Sequence, residues 1–337
     1  ERLLDNPRYN RPLFYHPPLY VWLLTPFVWL GWPGGGVIVS LAGHVLCLLA
    51  IWIFIREWCL AGGHSPRVAA ICLLAAAFDP ILCSISARLW MDNVLTGLVS
   101  LSICLAFVAA KKHSVALWTV CGVLGGLACV TKLSAVVVLW FPVLVLAVQP
   151  GPLRTKVKAF FALVIPMAAI VGAWLGYFYH VYGVFLPDWV APGPADDNAF
   201  IRMIQSRPFH YYLVALLSFQ PLLLLALVGI LPKAFRWRKD LLMAIALVPA
   251  CFLPFISWMS ARELGFMSRH LAIAIPSLYC CLFLWLGRPA RWAGWKRLFV
   301  QACLALGIVQ GILFQTVACH GDIPAFLYEL FGGAPGG

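Results

Sequence analysis

Residues 85–95 read ISARLWMDNVL and place a cation, Arg88, and an anion, Asp92, in the middle of a long apolar stretch. A bilayer core about 30 Å thick is crossed by roughly 20 helical residues. The apolar stretch over 68–110 is too long for one crossing, so we predict two membrane-spanning helices joined by a turn at 88–92. If that turn is helical, the four-residue spacing lets Arg88 and Asp92 pair on one face.

The composition is that of a membrane protein. Of the 337 residues, 63% are hydrophobic and only 11% are charged, which is too much apolar surface for a soluble core of this size. We predict an all-α, polytopic transmembrane bundle of about ten spans, with short interfacial helices on its outer face. The net charge of +12 is attributed to cytoplasmic loops rich in Lys and Arg. The expected partner is therefore the lipid bilayer and not a nucleic acid.

The same length rule predicts the individual spans and a three-part organisation. The predicted spans are 37–55, 68–86, 93–110, 115–131, 133–149, 159–181, 211–231, 241–258, 271–287 and 298–318. Residues 19–32 are also apolar, but they follow two prolines and stop at the Pro-Gly-Gly-Gly sequence of 33–36, so we expect an interfacial helix there. Residues 1–36 then form the first outer loop, 37–318 the bundle and 319–337 an outer-side tail. Because the chain starts without a Met or a preceding span, we expect it to be a fragment.

The distribution of basic residues predicts the orientation in the membrane. One set of loops holds 15 of the 24 Lys and Arg residues and two acids, Glu57 and Asp240, whereas the other set holds 9 basic residues and 9 of the 12 acids. The first set is predicted to be cytoplasmic. We expect an integral protein of a bacterial or archaeal cytoplasmic membrane, or of the endoplasmic reticulum in a eukaryote, with its functional site on the outer or lumenal side.

Several ionisable residues lie on the predicted outer side at the ends of spans. They are Arg88, Asp92, Lys132, Arg269 and His270. Charged groups at this depth are costly unless they are paired or line a cavity, although each one alone could extend to the outer headgroups. Their recurrence on one side predicts a basic cavity for an anionic substrate embedded in the membrane. A lipid-linked phosphate fits best, because Lys and Arg bind phosphate oxygens strongly.

Other polar residues are given structural interpretations. Asp79 precedes Pro80 inside a span, and we expect a helix break in which its carboxylate binds a freed backbone amide; a polar relay is the alternative. His44 is expected to be packed and hydrogen-bonded. The acidic loop 187–200 is expected to be solvated, with acceptor or metal binding as the alternative. The 12 cysteines show no CxxC spacing, which indicates buried small side chains and no zinc site.

Five stretches, taken in order, resemble the GT-C membrane glycosyltransferases. They are FYHPPLYVWLLTPFVWLGW (14–32), SISARLWMDNVLTGLVSL (84–101), GVLGGLACVTKLSAVVVL (122–139), RPFHYYLVALLSFQP (207–221) and SRHLAIAIPSLY (268–279). The resemblance is closest to the group of protein O-mannosyltransferases, the aminoarabinose transferases that modify lipid A and the RgtA/B/C/D-like enzymes. Each stretch alone is a weak signal, and their common order makes the resemblance more specific.

The resemblance implies an inverting glycosyltransferase. Such an enzyme moves a sugar from a dolichyl- or undecaprenyl-type phosphate carrier to a lipid, glycan or protein acceptor on the non-cytoplasmic face. The positions that match imply a carrier-phosphate site and a substrate site. The phosphate site would contain Arg88, Lys132, Arg269 and His270, and the substrate site His16, Pro17, His210 and Tyr211.

The chain departs from this group at the general base. The group has an Asp, usually followed by Glu, some tens of residues before the Pro-Pro motif, whereas here only 15 residues precede His16 and they contain no Asp-Glu pair. The candidate carboxylates are Asp5 and Asp92, or an acid in sequence that precedes this fragment. A carboxylate would take the acceptor's proton while cations stabilise the departing phosphate. We therefore expect no cofactor and no metal, with a divalent ion as the alternative.

Two other functions are considered. A transporter or flippase for a lipid-linked substrate would be indicated by two similar halves with broken spans in matching positions, and the sequence shows no such repeat. A relative that kept the GT-C fold but lost activity is consistent with the missing Asp-Glu pair. An upstream span followed by an acidic pair would favour the enzyme over this inactive relative.

Overall fold

The computed structural model of the chain describes residues 18–60, 65–86, 91–137, 140–183, 220–223 and 271–286, together with the short stretches 294–295, 298, 301–302 and 304–309. Within these ranges the backbone forms helices, turns and short connections, with no strand. The prediction of an all-α protein is confirmed.

Nine α-helices and three short 3-10 helices have both ends within the described residues, and further helical residues lie at 221–223, 294–295, 298, 301–302 and 304–309. The α-helices are α1 Leu19–Leu24, α2 Gly31–Leu60, α3 Pro66–Ala77, α4 Pro80–Ser86, α5 Asp92–Lys112, α6 Val115–Cys129, α7 Trp140–Val148, α8 Leu153–Tyr182 and α9 Ile275–Leu286. The 3-10 helices are Thr25–Leu30, Leu133–Val137 and Ala272–Ala274.

Three of these helices are long and apolar enough to cross a membrane. They are α2 over Gly34–Glu57, α5, and α8 over Leu153–Val181. A fourth crossing is made by α3 and α4 if they are taken as one span bent by 46°. Together with the shorter helices α6, α7 and α9, these elements overlap seven of the predicted spans, of which three, or four with the bent pair, contain described helices long enough to cross a membrane. The predicted span 241–258, and most of 211–231 and 298–318, lie outside the described residues.

The bend between α3 and α4 is organised by Asp79. Its Oδ1 accepts hydrogen bonds from the backbone amides of Ile81 at 2.9 Å and Leu82 at 3.0 Å. These amides belong to the first turn of α4, where backbone donors have no partner within the helix. The interpretation of Asp79 as a helix break whose carboxylate binds freed amides is confirmed.

The Pro-Gly-Gly-Gly sequence at 33–36 does not end a helix, contrary to prediction. Instead α2 begins at Gly31 and runs through it to Leu60. Pro33 is tolerated because it lies in the first turn of α2, where its missing N–H would have no helical partner. Gly35 faces Phe27, and a Cβ at Gly35 would lie 3.0 Å from the Phe27 Cβ. The glycine therefore lets the 3-10 helix before α2 pack closely on it.

Helices α2 and α5 run parallel and define the two ends of the bundle. At one end the Asn93 side-chain amide donates to the Ser40 carbonyl oxygen at 2.9 Å. At the other end Glu57 forms ion pairs with Lys111 at 3.4 Å and Lys112 at 3.0 Å. We call these the Asp92 end, after the first residue of α5, and the Glu57 end.

Two glycines allow α2 and α5 to approach closely. A Cβ added to Gly43 would lie 2.5 Å from the Asn93 carbonyl carbon, and one added to Gly97 would lie 2.5 Å from the Gly43 carbonyl oxygen. Neither position has room for a larger side chain unless the helices separate. Small residues serve this purpose in packed membrane helices generally.

Candidate functional site

An ion pair joins two predicted site residues at the Asp92 end. Lys132 Nζ lies 2.9 Å from Asp92 Oδ1, and the two side chains are only 16% and 5% exposed. Asp92 is the first residue of α5, and Lys132 follows the end of α6, where its amide bonds back to the Ala128 carbonyl oxygen at 3.0 Å. The fold thus brings together residues 40 positions apart in the sequence.

The position of Asp92 suits an ionised carboxylate. The N-terminus of a helix carries a partial positive charge that stabilises an anion in the first turn. Lys132 supplies a full positive charge beside it. A buried ion pair recovers part of the cost of desolvation only when its partners are close and well oriented. The 2.9 Å contact with Asp92 therefore keeps the Lys132 ammonium at one position.

Helix α1 packs over this end of the bundle. The Leu19 amide donates to the Val130 carbonyl oxygen at 3.0 Å, two residues before Lys132. Tyr20 and Leu24 are buried, whereas Trp22 on the same helix is 58% exposed. The Tyr20 hydroxyl lies near the Ser40 side chain and Asp92. Burial raises the pKa of the Tyr20 hydroxyl above its usual value, and the negative charge of Asp92 acts in the same direction. Tyr20 therefore stays protonated at neutral pH and can donate a hydrogen bond.

The neighbours of the ion pair are also polar and buried. Asn93 has no exposed surface, and Thr131 is likewise buried with its hydroxyl donating to the Leu127 carbonyl oxygen at 2.8 Å. Polar side chains from α1, α2, α5 and the end of α6 thus converge at the Asp92 end. Lys132 keeps some exposure and offers a cation to an anionic group. The polar side chains around it offer hydrogen bonds to polar substituents of the same ligand.

The remaining predicted site residues lie outside the described residues. They are Asp5, His16, Pro17, Arg88, His210, Tyr211, Arg269 and His270. The structure therefore describes Asp92 and Lys132, and it brings these two together. It also shows that Lys132 is a partner of Asp92, a pairing that the sequence did not predict.

Sequence reasoning missed Tyr20 and Asn93 as members of this cluster. Tyr20 lies in the apolar run LYVWLL, which predicts an interfacial helix and no site residue. Asn93 follows Asp92 directly and is the second residue of an apolar helix. A side-chain amide at the start of an apolar helix could have indicated this cluster, because buried polar groups require hydrogen-bond partners.

His44 has a packing role in the described structure. As expected, it is buried and hydrogen-bonded: its Nδ1 lies 3.3 Å from the Ser86 hydroxyl oxygen. This contact joins α2 to α4. No group of three or more His, Cys, Asp or Glu side chains within the described ranges is arranged to hold a metal ion. The acidic loop 187–200 lies outside those ranges.

Comparison with known proteins gives one family match over part of the chain. The model of the dolichyl-phosphate-mannose-protein mannosyltransferase family matches residues 15–175, which include α1, Asp92 and Lys132. Comparison with curated protein sequences gave no match.

Two crystal structures of ArnT from Cupriavidus metallidurans share the fold. The apo structure is 20% identical with a TM-score of 0.61, and the match covers 85% of this chain and 52% of that one. The structure bound to undecaprenyl phosphate is 18% identical with a TM-score of 0.64, covering 96% of this chain and 63% of that one. This chain thus spans less than two thirds of the ArnT length. The chain therefore has the fold of ArnT, and its residues 15–175, somewhat less than half of its length, are similar to the dolichyl-phosphate-mannose-protein mannosyltransferase family.

Proposed function

We propose that the chain acts in a glycosyltransferase that takes a sugar from a polyprenyl-phosphate carrier, with Lys132 binding the carrier phosphate. The observation that carries the proposal is the Lys132–Asp92 ion pair at one end of the bundle. The matched family is named for dolichyl-phosphate mannose and protein, and one ArnT structure with the same fold holds undecaprenyl phosphate. Both names support a polyprenyl phosphate as the donor carrier. The family name supports a protein as the acceptor, and we keep a lipid or glycan acceptor as the alternative.

The chemistry explains why a lysine is useful here. An acceptor hydroxyl or amine attacks the anomeric carbon, the bond from that carbon to the phosphate oxygen breaks, and its electron pair leaves with the phosphate. The carrier phosphate gains one negative charge in this step. A fixed cation beside it therefore stabilises the transition state more than the ground state.

Asp92 is assigned a positioning role in this reaction. Its Oδ1 is in contact with the Lys132 ammonium, so we assign Asp92 to holding that lysine in place. The acceptor's proton then goes to a different carboxylate, for which Asp5 or an acid in preceding sequence is our candidate. Arg88, Arg269 and His270 are proposed to complete the phosphate site, and His16, Pro17, His210 and Tyr211 the substrate site.

The reaction is proposed to occur on the non-cytoplasmic side without a metal. The Glu57 end carries Lys111 and Lys112, and basic residues favour the cytoplasmic side. The Asp92 end then faces outward or into a lumen. The lysine supplies the positive charge at the phosphate, so transfer is expected to persist in EDTA.

The test is sugar transfer by the full chain in membranes supplied with polyprenyl-phosphate sugars. Replacing Lys132 by Ala should lower the rate by about 100-fold or more, the usual effect of removing a group that stabilises transition-state charge. The matched control is Lys112→Ala, because Lys112 also pairs with a carboxylate but lies at the Glu57 end. Wild-type rates in a folded Lys132→Ala variant would refute the assignment.

A further inference from the structure

Two buried polar atoms at the Asp92 end form no hydrogen bond within the described part of the chain. They are the Tyr20 hydroxyl oxygen and Asn93 Oδ1. Tyr20 is 6% exposed and Asn93 is fully buried. Buried polar groups are nearly always paired, because leaving one unpaired forfeits its hydration without compensation. Two such atoms in one neighbourhood therefore indicate a missing partner.

Ser40 lies near both residues. The Asn93 side-chain NH₂ donates to the Ser40 carbonyl oxygen at 2.9 Å, which fixes the orientation of the amide and leaves Oδ1 as its free acceptor. The Tyr20 hydroxyl lies near the Ser40 side chain without completing a hydrogen bond of acceptable geometry. One free donor and one free acceptor are thus available next to Ser40.

The ion pair lies at the same end of the bundle as these atoms. Asn93 follows Asp92 in α5, and the negative charge of Asp92 acts on the Tyr20 hydroxyl. Lys132, the other partner of the pair, keeps some exposure. A ligand whose phosphate reaches Lys132 would therefore bring its nearest substituent toward Tyr20 and Asn93.

A hydroxyl group matches this donor and acceptor. It accepts one hydrogen bond through its oxygen and donates another through its proton. We propose that Tyr20 and Asn93 bind a hydroxyl group of the sugar on the polyprenyl-phosphate carrier, with Tyr20 donating to that group and Asn93 Oδ1 accepting from it. This inference rests on the proposed function and makes the two residues determinants of sugar recognition. Both atoms are enclosed, so binding requires a local displacement, and the six-residue helix α1 is the element we expect to move.

The test measures how tightly two carrier lipids bind to the full chain in detergent or nanodiscs. The probes are undecaprenyl phosphate alone and undecaprenyl phosphate linked to mannose or to aminoarabinose. Tyr20→Phe removes only the hydroxyl, and we expect it to weaken binding of at least one sugar-linked carrier by about 5- to 10-fold, the effect of one lost hydrogen bond. Binding of bare undecaprenyl phosphate should stay the same, since it has no sugar. Asn93→Ala should show the same selectivity.

The matched control is Tyr177→Phe, because Tyr177 is 58% exposed on α8 and should affect neither probe. Equal weakening of both probes by Tyr20→Phe would mean a purely structural role and overturn the inference. Unchanged binding of both would mean that only an enclosed water bridges these atoms, and would overturn it as well.

The proposed function is tested separately by Lys132→Ala, which should weaken both probes. If Lys132→Ala does so and Tyr20→Phe has no selective effect, the phosphate site stands and the sugar contact fails. If the wild-type chain binds neither carrier, the proposed function fails and the inference fails with it.

Discussion

The Tyr279 hydroxyl donates a hydrogen bond to Asp79 Oδ2 at 3.0 Å, although 200 residues separate the two in sequence. The same hydroxyl lies 3.1 Å from the Ala75 carbonyl oxygen. Asp79 has no exposed surface, and its other oxygen binds the first amides of α4. Because a carboxylate inside an apolar span is costly without partners, Tyr279 both satisfies Asp79 and ties α9 to the bend of the broken span.

Replacing Tyr279 by Phe should destabilise the fold. The ring is retained, but Asp79 loses a hydrogen bond in a fully buried place, which costs about 1–3 kcal/mol. Thermal unfolding of the purified chain in detergent measures this as a lower midpoint temperature. Tyr177→Phe, on an exposed face of α8, should leave the midpoint unchanged. Equal midpoints for the two variants would show that the Tyr279 bond contributes nothing.

Lys132→Met should destabilise the protein more than the double variant Asp92→Asn/Lys132→Met. The single change removes the cation from a carboxylate that is only 5% exposed, whereas the double change also removes the anion. Breaking one partner of a buried pair is costly, but replacing both is often nearly neutral. Since Lys132 retains some exposure, we expect about 1–3 kcal/mol for the single change. A double-mutant cycle on the free energy of unfolding measures the coupling between the two side chains. Purely additive effects of the two changes would contradict the prediction.

Local features of the sequence predicted the fold well. Apolar lengths predicted the positions of the long helices α2, α5 and α8, and the Asp79-Pro80 step predicted the bend with its bound amides, because both depend on neighbouring residues. The exception is the 33–36 sequence, which predicts the end of a helix. Its proline falls in the first turn of α2, where proline is tolerated. The sequence alone did not show that α2 begins at Gly31, two residues before Pro33.

The candidate site was predicted only in part. Charge at unusual depth singled out Asp92 and Lys132, but their pairing depends on α5 and α6 meeting at one end, a contact 40 residues apart. Helical spacing predicted instead a partner within one turn. Tyr20 was missed because its burial depends on how α1 packs near Ser40, which apolar periodicity does not encode.

Gly43→Ala and Gly97→Ala should each impair folding. The new methyl group would lie 2.5 Å from backbone atoms of the facing helix, so α2 and α5 must separate and their hydrogen bond at Ser40 and Asn93 would stretch. We expect little monodisperse protein in detergent by size-exclusion chromatography. Gly172→Ala on α8 is the control, because no described atom lies within 4 Å of that position. Normal yields of Gly43→Ala would refute the close approach of the helices.

Cysteine labelling should assign the two ends of the bundle to opposite sides of the membrane. Trp29, 78% exposed, precedes α2 on the side of the Asp92 end, whereas His113 follows α5 at the Glu57 end. The native cysteines within the described ranges are buried and should react slowly, and the parent chain supplies the background. A membrane-impermeant maleimide added to intact cells should label Trp29→Cys, and His113→Cys only after permeabilisation. Since the excess of Lys and Arg fixes the predicted orientation, the opposite pattern would place the Lys132 site on the cytoplasmic face and require a donor made available there.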